Sequence, residues 1–251
     1  MFRQPTTSYV VWHTQRTGST LLCTTLEATG IAGHPNEWPE NQLAETTASA
    51  QEARDRLWSE QTTLNAVLGV KWSFYKPWIE DFFRLFSPGI SDDGLDQREA
   101  WQAVFPNCHH IMMTRRNKVR LAVSWWKLIS GGQGHLSQDG SPLPWQEKVP
   151  TAPDDLADAY DFEAIKALSF EATQREAELQ KLHEVLRVSP LVVVYEDFIQ
   201  DYDQTVIGVL DYLGLGGLVT EIPRPLLSRT SNHVDEEWED RFLSDLNRDA
   251  K

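Results

Sequence analysis

The chain has 251 residues, of which 41% are hydrophobic and 24% charged, so its composition is that of a globular protein with room for a large core. Its 37 acidic and 23 basic residues give a formal net charge of −14, which argues against nucleic acid as a partner bound through the overall field. No stretch approaches the roughly 18 apolar residues that span a bilayer, and the first five residues are not followed by the apolar segment of a signal peptide. We therefore expect one cytoplasmic domain over 1–251, with no membrane span and no nucleic acid partner.

The first predicted unit is a strand, a tight turn and a helix. The apolar run Tyr9–Trp12 indicates a buried strand, and Ser19–Ala28 has the apolar spacing of a helix that stops at Gly30. In such a turn, backbone N–H groups and the positive end of the helix dipole point at one place, which favours an anion.

The turn residues fit that anion. Gly18 allows close backbone approach, Ser19 and Thr20 supply hydroxyl groups, and Arg16 supplies a fixed cation. A Walker A motif needs four residues between its glycines and then Lys-Ser/Thr, and this turn is too short for it. Phosphate or sulfate held in a different way is the prediction, against the alternative of an ordinary capped helix with Arg16 at the surface.

The rest of the chain alternates short apolar strands with helices. Up to residue 129, the sequence predicts a loop over 30–40, a polar helix-compatible segment over 41–64, a strand over 67–72, an amphipathic helix over 77–86, a surface loop over 87–98, a strand over 110–114 and a helix to about 129. A long loop over 131–153 follows, which is typical of a lid or acceptor loop. The remaining predicted elements are a helix over 161–186 capped by Asp161, a fully buried strand over 191–195, a helix over 203–213 and a charged helix over 235–246. This alternation indicates the α/β class, with a mostly parallel central sheet and helices on both faces.

In an open α/β sheet, ligands bind beyond the carboxyl ends of the strands. Three of the four predicted strands are followed there by polar or charged residues, at 13–16, 114–116 and 195–197. A second motif begins at the third strand, where Arg116 is followed eight residues later by Ser124. A basic helix start opposes the helix dipole and therefore favours an anion, although it could also be no more than a surface helix start.

Together these motifs resemble those of sulfotransferases that use 3′-phosphoadenosine 5′-phosphosulfate (PAPS). The stretches Q-R-T-G-S-T-L-L, A-T-G-I-A-G-x-P-x-E and R-R-N-K-V-R-x-A-V-S-W resemble the bacterial trehalose 2-sulfotransferase-like family in particular. Tyr195-Glu196-Asp197, after the last predicted strand, also fits, so the similarity covers most of the chain. The resemblance implies a P-loop-like three-layer sandwich.

The resemblance also implies roles for the two anion motifs. Arg16 would be the catalytic cation that stabilises charge on the oxygen bridging phosphate and sulfate, and Thr17, Gly18, Ser19 and Thr20 would bind the 5′-phosphate through backbone and hydroxyl groups. Arg116 and Ser124 would hold the 3′-phosphate. A basic loop near the C-terminus commonly closes the nucleotide site in this superfamily. Arg229 is the residue expected there, although a solvated surface arginine fits the sequence equally well.

On the acceptor side, Glu37 matches the proposed general base of the family. An alcohol needs such a base because it is a weak nucleophile until its proton is removed, and a neighbouring sulfonate should raise the carboxyl pKa toward a useful range. His34 is the rival base, because other branches of the superfamily use histidine, whereas His13 is interpreted as a structural contact. Trp38 is expected to stack on the acceptor, with core packing as the alternative, and Lys71 to face the sulfonate.

The expected activity is transfer of a sulfonate from PAPS, as co-substrate, to a hydroxyl of a carbohydrate or another small polar metabolite, with no metal. Cys23 and Cys108 lack metal-site or redox spacing, and Cys23 is expected to be buried. Family members can form dimers, so a homodimer is an implied arrangement. The alternatives are a non-catalytic PAPS or carbohydrate-binding protein and a P-loop kinase. A P-loop kinase would need a Walker lysine, which this sequence lacks.

Overall fold

The computed structural model describes residues 4–38, 49–87, 95–138, 152, 156, 158–228 and 230–249. In chain order the elements of these residues are β1 (Thr7–His13), α1 (Ser19–Ala28), β2 (Asn36–Glu37), α2 (Ala50–Gln61), β3 (Val67–Ser73), α3 (Lys76–Phe86), α4 (Leu95–Val104), β4 (Cys108–Thr114), α5 (Lys118–Ile129), β5 (Leu136–Ser137), α6 (Phe162–Leu186), β6 (Leu191–Val194), α7 (Tyr195–Gln200), α8 (Tyr202–Tyr212), a short 3-10 helix (Gly216–Leu218), β7 (Leu227–Ser228) and α9 (His233–Asp249).

The chain divides into two compact units. The first comprises Met1–Thr114 and Arg175–Arg224, and the second comprises Arg115–Gln174 and Pro225–Lys251. The single domain expected from the sequence stays a prediction.

The first unit contains a sheet in the order β2-β3-β1-β4-β6, in which every neighbouring pair is parallel. Its strands are rich in β-branched and aromatic residues, and the central strand β1 is buried from Ser8 to His13. This arrangement confirms the predicted α/β class with a mostly parallel sheet.

Side-chain alternation along the strands divides the first unit's core into two layers. Val10 and Trp12 face a layer formed with α3, α4 and the C-terminal part of α6, where Trp12 stacks on Trp72 and Trp101. Tyr9 and Val11 face the layer formed with α1 and α8. Helices therefore cover both faces of the sheet, as predicted.

The second unit is built from α5, α9 and the N-terminal part of α6. Its apolar core includes Ala122, Ile165, Trp238 and Phe242. The two short strands β5 and β7 pair antiparallel within this unit. Asp161 caps α6 as predicted, because its Oδ1 accepts a hydrogen bond from the N–H of Ala164 at 2.9 Å.

Five details differ from the sequence predictions. Residues 95–98 belong to α4 and not to a loop, and β2 lies within the predicted loop over 30–40. The strand over 191–195 is not fully buried, because β6 is an edge strand and Val192 is 53% exposed; it also ends at Val194, since Tyr195 begins α7. Residues 136–137 of the predicted long loop form β5, while 139–151 lie outside the described residues.

Among the described helices, none combines the length and the apolar character needed to cross a bilayer.

Candidate active site

A loop over residues 14–18 connects β1 to α1 in a conformation suited to an anion. Arg16 and Gly18 have positive φ angles of 64° and 82°, on either side of Thr17. Backbone that alternates in handedness turns successive N–H groups toward one side, which forms a concave anion site. Gly18 has no side chain to cap α1, and no acidic residue lies in the helix's first turn. The first N–H groups of α1 and its dipole therefore also favour an anion at this point.

Only glycine fits at position 18. A Cβ there would lie 2.6 Å from Cδ2 of Tyr195, the first residue of α7. The Tyr195 ring thus packs directly on the loop. This contact gives a physical reason for Tyr195 in the Tyr-Glu-Asp motif, which the sequence placed at the carboxyl end of a predicted strand.

Thr17 supports the loop instead of presenting its hydroxyl group. Its side chain is fully buried, and its Oγ1 donates a hydrogen bond to the carbonyl of Thr14 at 3.0 Å. This corrects the hydroxyl part of the role predicted for Thr17. The predicted backbone contacts of Thr17, Gly18, Ser19 and Thr20 stay predictions.

Lys71 connects the helix at the loop to the predicted base. From β3, its Nζ donates to Oγ1 of Thr20 at 3.0 Å and lies 2.6 Å from Oε1 of Glu37. The lysine is buried, with 8% of its surface exposed, whereas the Glu37 side chain is 36% exposed. The buried ammonium group of Lys71 therefore lies between the first turn of α1, next to the loop over residues 14–18, and a carboxylate that solvent can reach.

The register of the sheet explains this cluster. Glu37 pairs with Lys71 across β2 and β3, and Lys71 pairs with Val11 of β1. Residues in register on parallel strands point to the same face, so Glu37, Lys71 and His13 share the face covered by α1. Gly33 allows the segment before β2 to lie close to β3. A Cβ at this residue, where φ is 72°, would lie 2.9 Å from Cα of Gly69 on β3.

The same alternation overturns the expectation for Trp38. As the neighbour of Glu37 it faces the opposite side of the sheet, where its ring packs edge-on against Trp72, Phe82 and Phe105. Only 1% of its surface is exposed. Trp38 is a core residue with no face available for an acceptor, because strand periodicity separates it from Glu37.

The pKa of Glu37 also differs from the expectation. Burial raises it, but the neighbouring His13 and Lys71 side chains outweigh that effect and lower it to about 2. The carboxylate is thus ionised in the unliganded protein, because the two neighbouring side chains outweigh burial.

His13 lies in the cluster, beyond the structural role that the sequence suggested. It is 2% exposed, and its Nε2 is 3.7 Å from Oε1 of Glu37. His34, the rival base, lies elsewhere on the unit: its Nδ1 is 3.3 Å from Oε1 of Glu27, near the C-terminal end of α1. Helix geometry puts that end about 12 Å from the N-terminal loop.

An exposed aromatic pair follows the carboxyl end of β3. Tyr75 is 41% exposed, contacts Trp78 edge-to-face at 5.1 Å between ring centroids, and has the Arg175 guanidinium 5.3 Å from its own centroid. Sequence reasoning missed Tyr75. Its position two residues after the end of β3 was the available signal.

The predicted 3′-phosphate residues belong to the second unit. Arg116 is exposed and directly precedes Asn117, whose Oδ1 caps α5 by accepting a hydrogen bond from the N–H of Arg120 at 2.8 Å. Ser124 is 7% exposed on α5. Arg229 lies outside the described residues. The roles of these three residues stay predictions.

Both cysteines are free thiols. Cys23 is buried as predicted, and burial is the main cause that raises its pKa to about 12. Within the part of the chain that the structure describes, no group of three or more His, Cys, Asp or Glu side chains is placed to hold a metal ion.

Comparison with known proteins identifies the relatives of this chain. Residues 8–245 match the family described as Stf0 sulphotransferase. The chain is 26% identical to trehalose 2-sulfotransferase of Mycobacterium tuberculosis (strain ATCC 35801 / TMC 107 / Erdman) over 271 residues, which cover 96% of each protein.

Two solved structures show a weaker likeness. One is a sulfotransferase from Alicyclobacillus acidocaldarius, with 16% identity, a TM-score of 0.45 and coverage of 98% of this chain and 94% of the other. The other is the sulfotransferase domain of the Synechococcus PCC 7002 olefin synthase, with 14% identity, a TM-score of 0.41 and coverage of 94% and 88%. Both TM-scores are below 0.5, so neither likeness supports a conclusion.

Proposed function

The chain belongs to the Stf0 sulphotransferase family and is a sulfotransferase; from this premise we propose that it transfers a sulfonate from PAPS to a hydroxyl of a carbohydrate or another small polar metabolite. The curated relative is named for trehalose, and this supports the carbohydrate class without fixing the sugar for this chain. Both free cysteines fit the cytoplasm, where thiols stay reduced, as its compartment.

The observation that carries the proposal is the bridge that Lys71 makes between Thr20 on α1 and Glu37 on β2. Transfer of a sulfonate to an alcohol needs an anion site and a base side by side. Lys71 contacts a residue of each, at 3.0 Å and 2.6 Å respectively.

The loop over residues 14–18 fits a phosphosulfate group. Its positive φ angles and the start of α1 direct N–H groups to one side, and a Cβ at Gly18 would collide with Tyr195. The buried Oγ1 of Thr14 has no hydrogen-bond partner among the described residues. We assign Arg16 to the charge that develops on the bridging oxygen, and the backbone of 17–20 to the 5′-phosphate. When bound, PAPS supplies an activated sulfonate. In the second unit, Arg116, Ser124 and Arg229 are proposed to bind the 3′-phosphate.

Glu37 would accept the proton of the acceptor hydroxyl group. A carboxylate with a pKa of about 2 is a weak base, so it must gain basicity when the site is loaded. Lys71 offers a route, because its ammonium group also reaches Thr20 and can turn from Glu37 toward an anion at the loop. Loss of that neighbouring charge raises the carboxylate's pKa at the moment the base is needed.

Tyr75 is our candidate for stacking on a sugar, in place of Trp38. Tyr75 follows β3 by two residues, beyond the carboxyl end of the strand that carries Lys71. Its exposed ring is held by Trp78 and Arg175, and aromatic faces of this kind stack on sugars.

Product detection tests the proposal. The purified protein is incubated with PAPS and a panel of sugars, polyols and other alcohols, and products are identified by mass spectrometry. A product carrying one added sulfo group, formed with PAPS and without added metal, is expected. Nucleotide binding without transfer to any acceptor would favour a binding protein, and transfer from ATP with Mg²⁺ would favour a kinase; either result would contradict the proposal.

A further inference from the structure

The buried imidazole of His13 is a titratable group that the reaction outlined above leaves unused. His13 ends β1 and is 2% exposed. Its Nδ1 lies 3.0 Å from the carbonyl oxygen of Thr14. Its Nε2 is buried and has no hydrogen-bond partner among the described residues.

These contacts determine which ring nitrogen carries the proton in the neutral imidazole. A carbonyl oxygen can only accept a hydrogen bond, so Nδ1 of His13 donates to Thr14 and Nε2 retains its lone pair. That lone pair lies 3.7 Å from Oε1 of Glu37. A proton delivered to Glu37 could therefore be shared with Nε2 through a hydrogen bond between the two groups.

We propose that His13 is the positioning residue for Glu37 and holds the proton that Glu37 removes from the acceptor, an inference that rests on the proposed function. The acceptor O–H bond breaks as its oxygen bonds to sulfur, and the S–O bond to the phosphate breaks with the electron pair leaving on the phosphate oxygen. The proton passes to the Glu37 carboxylate and then to Nε2 of His13. After release of the products, it returns through Glu37 to solvent.

The weak basicity of Glu37 supports this sequence. The neighbouring His13 and Lys71 side chains outweigh burial and lower its pKa to about 2, so Glu37 by itself holds a proton poorly. The Nε2 lone pair of His13, 3.7 Å from Oε1 of Glu37, offers the proton a second acceptor.

The charged surroundings are compatible with an imidazolium at this place. Lys71 approaches from β3 and opposes it, whereas the Glu37 carboxylate on β2 favours it. On α1, Glu27 adds a negative charge that acts on the neighbouring thiol of Cys23, and this thiol stays neutral with a pKa of about 12. When Lys71 turns toward an anion at the loop, Glu37 remains as the nearest charge to His13. The 3.7 Å separation then has to shorten by about 0.7 Å, as catalytic hydrogen bonds often do once substrate binds.

The substitution His13→Asn tests the proposal. The asparagine amide can still donate to the Thr14 carbonyl at the position of Nδ1, but nothing replaces Nε2. We expect kcat to fall by about 100-fold or more, with the KM for PAPS within about twofold of wild type. His109→Asn is the matched control, because His109 lies at the other end of a neighbouring strand against Tyr212.

A readout without any substrate completes the test. Carboxyl NMR of the unloaded protein should show the Glu37 pKa rising above about 2 in His13→Asn and staying there in His109→Asn. An unchanged Glu37 titration, or a His13→Asn variant that keeps the wild-type kcat, would overturn the proposal. If the wild type transfers no sulfonate from PAPS, the proposed function fails, whereas the NMR titration still decides whether His13 and Glu37 are coupled.

Discussion

The buried ion pair between Lys127 and Asp235 gives the sharpest prediction about stability. The two side chains are 2% and 3% exposed, and Lys127 Nζ also donates to the carbonyl of Thr230 at 3.0 Å. Lys127→Met would leave the Asp235 carboxylate buried without the Lys127 ammonium group, while the N–H of Asn232 would still donate to it at 2.8 Å. Removing one partner of a buried pair costs about 3–5 kcal/mol. At about 2 °C per kcal/mol for a chain of this length, the Tm should fall by about 6–10 °C.

Thermal unfolding followed by circular dichroism measures this shift, and two variants interpret it. Lys166→Met breaks an exposed pair with Asp249, in which the side chains are 44% and 53% exposed, and should lower the Tm by less than about 2 °C. The double variant Lys127→Met/Asp235→Leu removes both buried charges and should regain most of the lost stability. A Tm for Lys127→Met equal to that of Lys166→Met would refute the reasoning.

Three further predictions concern the candidate site. Gly18→Ala should weaken PAPS binding and destabilise the protein by about 1–3 kcal/mol, because residue 18 has a positive φ and the new Cβ would clash with Tyr195. Calorimetry measures both effects. Gly30→Ala is the control: its φ is 71° and nothing lies within 4 Å of a Cβ, so it should carry only the backbone strain and leave PAPS binding intact. Lys71→Met should raise the Glu37 pKa above about 2 in a carboxyl NMR titration and raise the KM for PAPS, and an unmoved pKa would contradict the assigned contact. Because the folded-state pKa of Glu37 is lowered, its ionised form stabilises the protein above pH 4.5, and this contribution disappears as the pH falls toward 2. The difference in stability between the wild type and Glu37→Gln should therefore shrink over that pH range. A constant difference would contradict the lowered pKa.

The parts of the fold that local sequence determines were predictable. The apolar run at β1, the spacing in α1 and the Asp161 cap of α6 are all read within a few residues, and the structure confirms them. The helix α4 was missed because its Leu95–Val104 segment follows a polar, glycine-containing stretch that favours a loop.

The candidate site depends on register, and register could not be predicted locally. The strand β2 has only two residues and exists because Asn36 and Glu37 pair with β3. That pairing brings Glu37, Lys71 and His13 together from positions far apart in the sequence, and it directs Trp38 into the core. Motif resemblance suggested Glu37, but neither its low pKa nor its contact with His13 could follow without the sheet.

A single-turnover experiment with Glu37→Gln tests the central claim most directly. The variant and the wild type are each saturated with PAPS, mixed with an acceptor that the wild type sulfates, and sampled by rapid quench for sulfated product. The account predicts that the variant binds PAPS as tightly as the wild type but forms product at least about 100-fold more slowly, because the loop and the base are separate groups. Product formation at the wild-type rate by Glu37→Gln would contradict it.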